Sequence, residues 1–333
     1  MLARLVRELP EGDVTYEPKW DGFRCIAFVD EHDIDLRSRH DRPLARYFPE
    51  LVDAIAAIRA GRPGGPGERG WAMDGEILLA GPGDFSLLMS RLHPAASRVE
   101  RLARETPARY VAFDLLADGP CDVRDRPFPE RRAALERLLP PGDATIGVTP
   151  ATRDPDVART WVEARGVPID GVVVKPDDLR YEPGRRLMTK VKMLRTADCV
   201  VAGYRPLAPG IVSSLLLGLY DDAGALRHVG VVTQFPGEER VRLARELDPL
   251  AIRLAQHPWR AGFTIGASPL GRLPGSAARW TPDMEHDWVP LKPEIVVEVG
   301  FDQVDGDRFR HPARLLRWRP DRDAASCRLD QIL

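Results

Sequence analysis

At 333 residues the chain exceeds what a single core usually holds, so two domains are expected. With 44% hydrophobic and 29% charged residues, it has no apolar run long enough to cross a bilayer and no leader-type segment near Met1, which reads as a cytoplasmic globular protein without a membrane partner. The net charge of -2 excludes a uniformly basic protein but not a local basic face, and four dispersed cysteines and seven histidines without ligand spacing exclude a structural zinc site.

Residues 15–28 read as one strand and residues 34–38 as a second. Phe48, Leu51, Ile55 and Ile58 have the spacing of an amphipathic helix over 47–59. Residues 61–70, nearly all Gly, Pro and Arg, read as a mobile surface loop. Further strands are expected over 73–79, 109–116 and 171–175, with helices over 98–105 and 129–139. The elements alternate without a regular β-α-β rhythm, so an α+β domain is expected. After Lys192 the character changes. Short strands over 199–204, 214–220, 226–235 and 295–301, interrupted by one helix over 238–248, suit a small β-barrel such as an OB-fold. The boundary is placed near Arg195, giving domains of residues 1–195 and 196–333.

Of 48 basic residues only five are lysine: Lys19, Lys175, Lys190, Lys192 and Lys292. A lysine amine can be depressed in pKa until it is a nucleophile, whereas a guanidinium stays protonated. Lys19 sits in Glu17-Pro-Lys-Trp-Asp-Gly-Phe-Arg24, which gathers a nucleophile, a carboxylate, a tight turn and a phosphate-binding cation. Taken alone, the stretch is equally compatible with a surface lysine beside an Asp-Gly turn. Four other stretches weigh against that: Ser38-Arg39, Asp74-Gly75-Glu76, Asp170-Gly-Val-Val-Val-Lys175 and Lys190-Val-Lys192. Asp74 and Glu76 offer two carboxylates suited to a divalent ion, Asp170 and Lys175 stand at the two ends of one strand, and Lys190 and Lys192 are spaced to share one face of a strand.

This ordered set, with Tyr110-Val-Ala-Phe113-Asp114, resembles the covalent nucleotidyltransferase superfamily of DNA ligases, RNA ligases and capping guanylyltransferases. Within it the chain is most similar to ATP-dependent DNA ligases of actinobacterial type, in particular ligase C. The likeness extends through residues 16–24, 46–51, 93–98, 309–311 and 316–322. It implies a nucleotidyltransferase domain of the ATP-grasp-like ligase type followed by an OB-fold.

The resemblance also implies roles. Lys19 would attack the α-phosphate of ATP and carry AMP to the 5′-phosphate of nicked double-stranded DNA, where a 3′-OH displaces it. Glu17 would lie at the adenine edge and Phe113 would stack on the ring, although an aromatic in an apolar strand is ordinarily core. Arg24 and Arg39 would hold ribose or phosphate groups. Glu76, helped by Asp170, would associate with magnesium or manganese; the commonest family pattern has glutamate where Asp170 stands, which puts direct metal contact in doubt. Asp74 is read alternatively as a strand-entry or turn residue. Lys190 and Lys192 would neutralise the α-phosphate, with Lys175 supporting the pocket. Arg317, Arg319 and Arg322 resemble the family's last motif, which orients pyrophosphate; its usual Asp-Lys ending is Asp321-Arg322 here. The barrel would close over ATP and then clamp DNA about a hinge near Arg195. A monomer is expected, in a repair setting shared with a polymerase or primase, or an end-binding protein. RNA ligase, capping enzyme and a catalytically inactive OB-containing binding module are the competing readings. An NAD-dependent ligase is disfavoured, because only 18 residues precede Lys19 and no cysteine cluster could hold that family's zinc.

Overall fold

The computed structural model of the chain describes residues 1–64, 69–81, 85–139, 141–164, 167–193, 195–260 and 288–333, so part of the Gly/Pro loop expected over 61–70 lies outside the described residues. The chain divides into two compact units, residues 1–193 and 194–333.

The first unit holds two sheets. One runs in the order β1 (Ala3–Val6), β10 (Met188–Val191), β9 (Ile169–Pro176), β2 (Val14–Trp20). β1 is parallel to β10, and the other pairs are antiparallel. The second runs β4 (Ile34–Ser38), β3 (Phe23–Val29), β5 (Trp71–Leu79), β6 (Ala108–Asp118), β7 (Cys121–Asp122), with β8 (Ile146–Val148) parallel to β6. The single strand expected over 15–28 is therefore two strands in different sheets. The break falls at Asp21-Gly22, where the chain crosses β5 so closely that a Cβ on Gly22 would lie 2.1 Å from the Ile77 carbonyl oxygen. Only glycine can make that crossing.

Helices α1 (Pro49–Gly61), α2 (Phe85–Ser90), α3 (Ala96–Glu105), α4 (Phe128–Leu138) and α5 (Pro155–Glu163) belong to the first unit. α1 begins with Pro49 and Glu50, residues suited to a helix start, and buries Leu51 and Ile55 four apart on one face. Glu50 also reaches inward, accepting from the Ala108 N–H at 3.0 Å and pairing with the buried Arg91 at 2.7 Å. α5 was not expected from its apolar pattern. Its start is carried by Asp154, whose side chain accepts from the Asp156 N–H, with Pro155 as the first helical residue.

The second unit is a five-stranded antiparallel sheet ordered β13 (Leu226–Val232), β12 (Ile211–Tyr220), β11 (Arg195–Ala208), β14 (Val289–Phe301), β17 (Arg314–Trp318). Its two edges curl together: the Ala313 N–H donates to the Val231 carbonyl at 2.8 Å, and Ala313 bridges Val232 just before β17. That closure covers a core of Val200, Leu215, Leu217, Val229 and Val297, joined by Leu243 and Leu247 of α6 (Gly237–Leu247). A small hairpin of β15 (Val304–Asp305) and β16 (Arg308–Phe309) lies beside it. The chain is thus α+β, with an OB-like C-terminal sheet, as expected. No helix among the described residues is long and apolar enough to cross a membrane.

Candidate active site

The predicted residues converge in the first unit. Strand register aligns Glu17 of β2 with Val173 of β9, and Val173 with Lys190 of β10. Residues directly opposite in a sheet share a face, so these three form one row, and Lys175, two residues from Val173, shares that face. The other wall comes from the second sheet, where Arg24 of β3 stands opposite Glu76 of β5. Phe113 joins them through an irregularity in β6. Asp74 pairs with Asp114 and Gly75 with Ala112, leaving Phe113 as the extra residue of a bulge. That explains why an aromatic in an apolar strand is not core: the bulge turns it toward the pocket.

The two walls enclose a pocket of about 580 Å³ lined by Glu17, Lys19, Arg24, Arg39, Glu76, Phe113, Lys175 and Lys190. Asp170 and Lys192 are not on its wall. They act on it through Lys19: the Lys19 and Lys192 amines both contact Asp170 Oδ2, each at 2.7 Å. Lys192 lies one residue beyond β10, so the Lys190-x-Lys192 pair divides its work. Lys190 faces the pocket and Lys192 shares the counter-charge of the nucleophile candidate. The turn into this arrangement needs Gly171, whose φ is +112° and whose Cβ would lie 2.0 Å from the Val191 carbonyl oxygen.

Glu17 is buried between two cations. Lys175 Nζ contacts Oε2 at 2.8 Å, and Arg132 of α4 donates to Oε1 at 2.8 Å. Burial pushes the Glu17 carboxyl up, while Lys175 and Arg132 draw it back. Lys175 also donates to the Phe113 carbonyl at 2.7 Å and lies 4.3 Å from the centre of the Phe128 ring. Arg132 further donates to the Thr149 carbonyl at 2.6 Å, and the Trp20 indole N–H donates to Thr149 Oγ1 at 2.8 Å. Arg132 escaped the sequence reading because nothing in its local sequence separates it from dozens of other arginines.

Arg24 does not stand open for a phosphate. Its Nε and Nη2 donate to Asp74 at 3.1 and 2.6 Å, and its Nη1 donates to the Met1 carbonyl at 2.5 Å. Tyr181 donates to the same carboxylate at 2.8 Å. Asp74 is therefore no strand-entry residue; it lies fully buried in mid-strand and fixes Arg24. Asp114 likewise anchors structure, taking a two-pronged contact from the buried Arg131 at 2.7 and 3.0 Å. Arg39 is exposed. Glu76 accepts from the Gly22 N–H at 3.2 Å, and burial pushes its carboxyl up to about 8 against the pull of Lys19. A carboxylate so placed gains from any added cation.

In the second unit Arg317, Arg319 and Arg322 form a surface strip. Arg317 Nε contacts Glu298 at 2.6 Å, Arg319 contacts Asp198 and Asp321 at 2.9 Å each, and Arg322 lies 3.5 Å from Asp198.

The family profile "ATP dependent DNA ligase domain" matches residues 1–192, and "ATP dependent DNA ligase C terminal region" matches residues 208–322. DNA ligase C2 of Mycolicibacterium smegmatis is 49% identical, the alignment covering 100% of this chain and 93% of the relative. DNA ligase C of Mycobacterium tuberculosis is 48% identical, over 100% of this chain and 92% of the relative. A solved structure from a structure–function study of Lig E DNA ligases has the same fold, with a TM-score of 0.55 at 19% identity, covering 96% of this chain and 98% of that one. Whole-chain matches of this extent leave one assignment: the chain belongs to the ATP-dependent DNA ligase family.

Proposed function

We propose that the chain is a DNA ligase that seals 3′-OH/5′-phosphate nicks in duplex DNA, using ATP through an adenylate held covalently on Lys19. The observation that carries this reading is the Lys19 amine, oriented by Asp170 Oδ2 at the edge of a pocket that also presents Lys190 and Phe113. In the first step Lys19 Nζ attacks the α-phosphorus, a P–N bond forms, and pyrophosphate leaves. Lys190 faces the phosphate and offsets the charge that builds there, and Lys192 acts through Asp170. Phe113 offers its ring to the base, and Glu17, held between Lys175 and Arg132, shapes the far end of the pocket. The adenylate then passes to a 5′-phosphate, and a 3′-OH displaces AMP.

A magnesium or manganese ion would draw negative charge off the phosphates. Among the described residues no cluster of three or more His, Cys, Asp or Glu is placed to hold a metal. Glu76 is the one carboxylate lining the pocket besides Glu17, and Glu17 is engaged by two cations. The donor set fits an ion that takes most of its ligands from phosphate and water, with Glu76 as the protein's contact. On this reading Asp170 serves the lysines rather than the metal, a role supported by its 2.7 Å contacts with Lys19 and Lys192.

On this reading residues 1–195 are the adenylation domain and residues 196–333 the OB domain, whose Arg317, Arg319 and Arg322 meet pyrophosphate or DNA. A monomer acting in DNA repair at the nucleoid, beside a polymerase or an end-binding protein, is the setting the family likeness favours. The test is direct. With ATP and magnesium the chain should gain the mass of one adenylate at Lys19 and seal a nicked duplex; label taken up from GTP, or sealing with NAD alone, would overturn the reading.

A further inference from the structure

The second unit contains a group of cations that the adenylation chemistry does not use. Arg205 of β11 and Arg308 of β16 are each only 8% exposed. Nε and Nη2 of both side chains are buried without a hydrogen-bond acceptor. The one carboxylate paired with either among the described residues, Asp307, stands 4.0 Å from Arg308 Nε, too far for a hydrogen bond. His228 of β13 is buried beside them. The Phe309 ring packs onto Gly230, laying β16 across β13 two residues along the strand from His228. Burial, and then the charges of Arg308 and Arg205, press the His228 imidazole down to about 3. Arg227, which pairs with Asp221 at 3.4 Å, adds a further positive charge near Arg308.

Buried guanidinium groups are ordinarily matched by carboxylates, as Arg131 is by Asp114 in the first unit. A buried cation without an anion costs several kcal/mol, so such sites are built to receive one. Two forked donors whose charges both act on the same His228 ring match the oxygens of a tetrahedral anion better than a single carboxylate. We propose that Arg205 and Arg308, beside His228, form a binding site in the second unit for a phosphate oxyanion, supplied as free phosphate or as a backbone phosphodiester of nucleic acid. The site is independent of the reading of Lys19, and failure at either leaves the other standing.

The test uses the full chain, with potassium phosphate compared against potassium chloride at equal ionic strength, and with a nicked duplex as the second probe. If the source is free phosphate, phosphate raises the thermal midpoint above the chloride control, and Arg205→Gln or Arg308→Gln weakens that binding at least about tenfold. If the source is a phosphodiester, phosphate has no special effect, whereas each variant weakens duplex binding about tenfold and lowers the salt dependence by about one phosphate contact. Should a variant fail to fold, the His228 imidazole resonances of the unaltered chain are followed while each probe is added. Variants that fold and bind both probes like the parent, or His228 resonances unmoved by both, overturn the proposal.

Discussion

The cations of the two units are held in opposite ways. In the first unit the pocket lysines and Arg24 meet buried carboxylates: Lys19 and Lys192 on Asp170, Lys175 and Arg132 on Glu17, Arg24 on Asp74. In the second, Arg317 and Arg322 are paired on the surface with Arg319 half-buried between them, and Arg205 and Arg308 are buried almost without counter-charge among the described residues. The difference is one of dielectric and of purpose. A buried pair is rigid and costly to break, so it fixes geometry for a reaction. An exposed pair contributes little and exchanges readily for another anion, which suits a surface that meets phosphate only transiently.

Variants can break this comparison, beginning with the largest expected effect. Lys19→Ala should reduce adenylylation below detection by intact-mass measurement while duplex binding persists; a covalent adenylate on the variant would remove the assignment of the nucleophile. Asp170→Asn takes away the shared counter-charge of Lys19 and Lys192, and should slow the first step by about a hundredfold in single-turnover labelling. If it instead leaves that rate unchanged, Asp170 is only structural. Arg132→Gln releases one oxygen of Glu17 and should raise the KM for ATP by about tenfold with little change in kcat. An equal loss in kcat would place Arg132 in the chemistry rather than behind it.

The second unit gives stability predictions. Leu217 is fully buried in its core, so Leu217→Ala should cost about 2–5 kcal/mol in denaturant unfolding. The second stability effect depends on pH. His228 titrates near 6.5 when unfolded but near 3 in the folded unit, so the unfolded state binds the extra proton between those values. Stability from the neutral ring is complete above about pH 6.5 and falls as pH drops toward 3; His228→Gln should flatten that slope in thermal melts.

Much of this was legible in the chain because lysine is so scarce in it. Three of its five lysines line the pocket and a fourth, Lys192, contacts Asp170 beside Lys19, while the glycines of Asp21-Gly22 and Asp170-Gly171 mark close crossings that no other residue allows. Local patterning likewise located α1, α3, α4 and most of the strands to within a few residues. The short β1 was missed, since an edge strand of four residues has too few positions to show a period.

By itself, then, the order of residues singled out side chains that gather at one pocket, and showed that the chain is α+β and that its character changes after Lys192. Tertiary structure alone decided how those side chains are partnered. It turned Phe113 outward by a bulge, split the first long strand between two sheets, set Arg132 behind Glu17 and bound Arg24 to Asp74. The physical reason is range. Helix and strand periods, turns and nucleophile motifs are written within a few neighbouring residues. Ion pairs such as Lys19 with Asp170 join positions 151 apart in sequence, and their partners meet only once β2 and β9, far apart along the chain, have paired in one sheet.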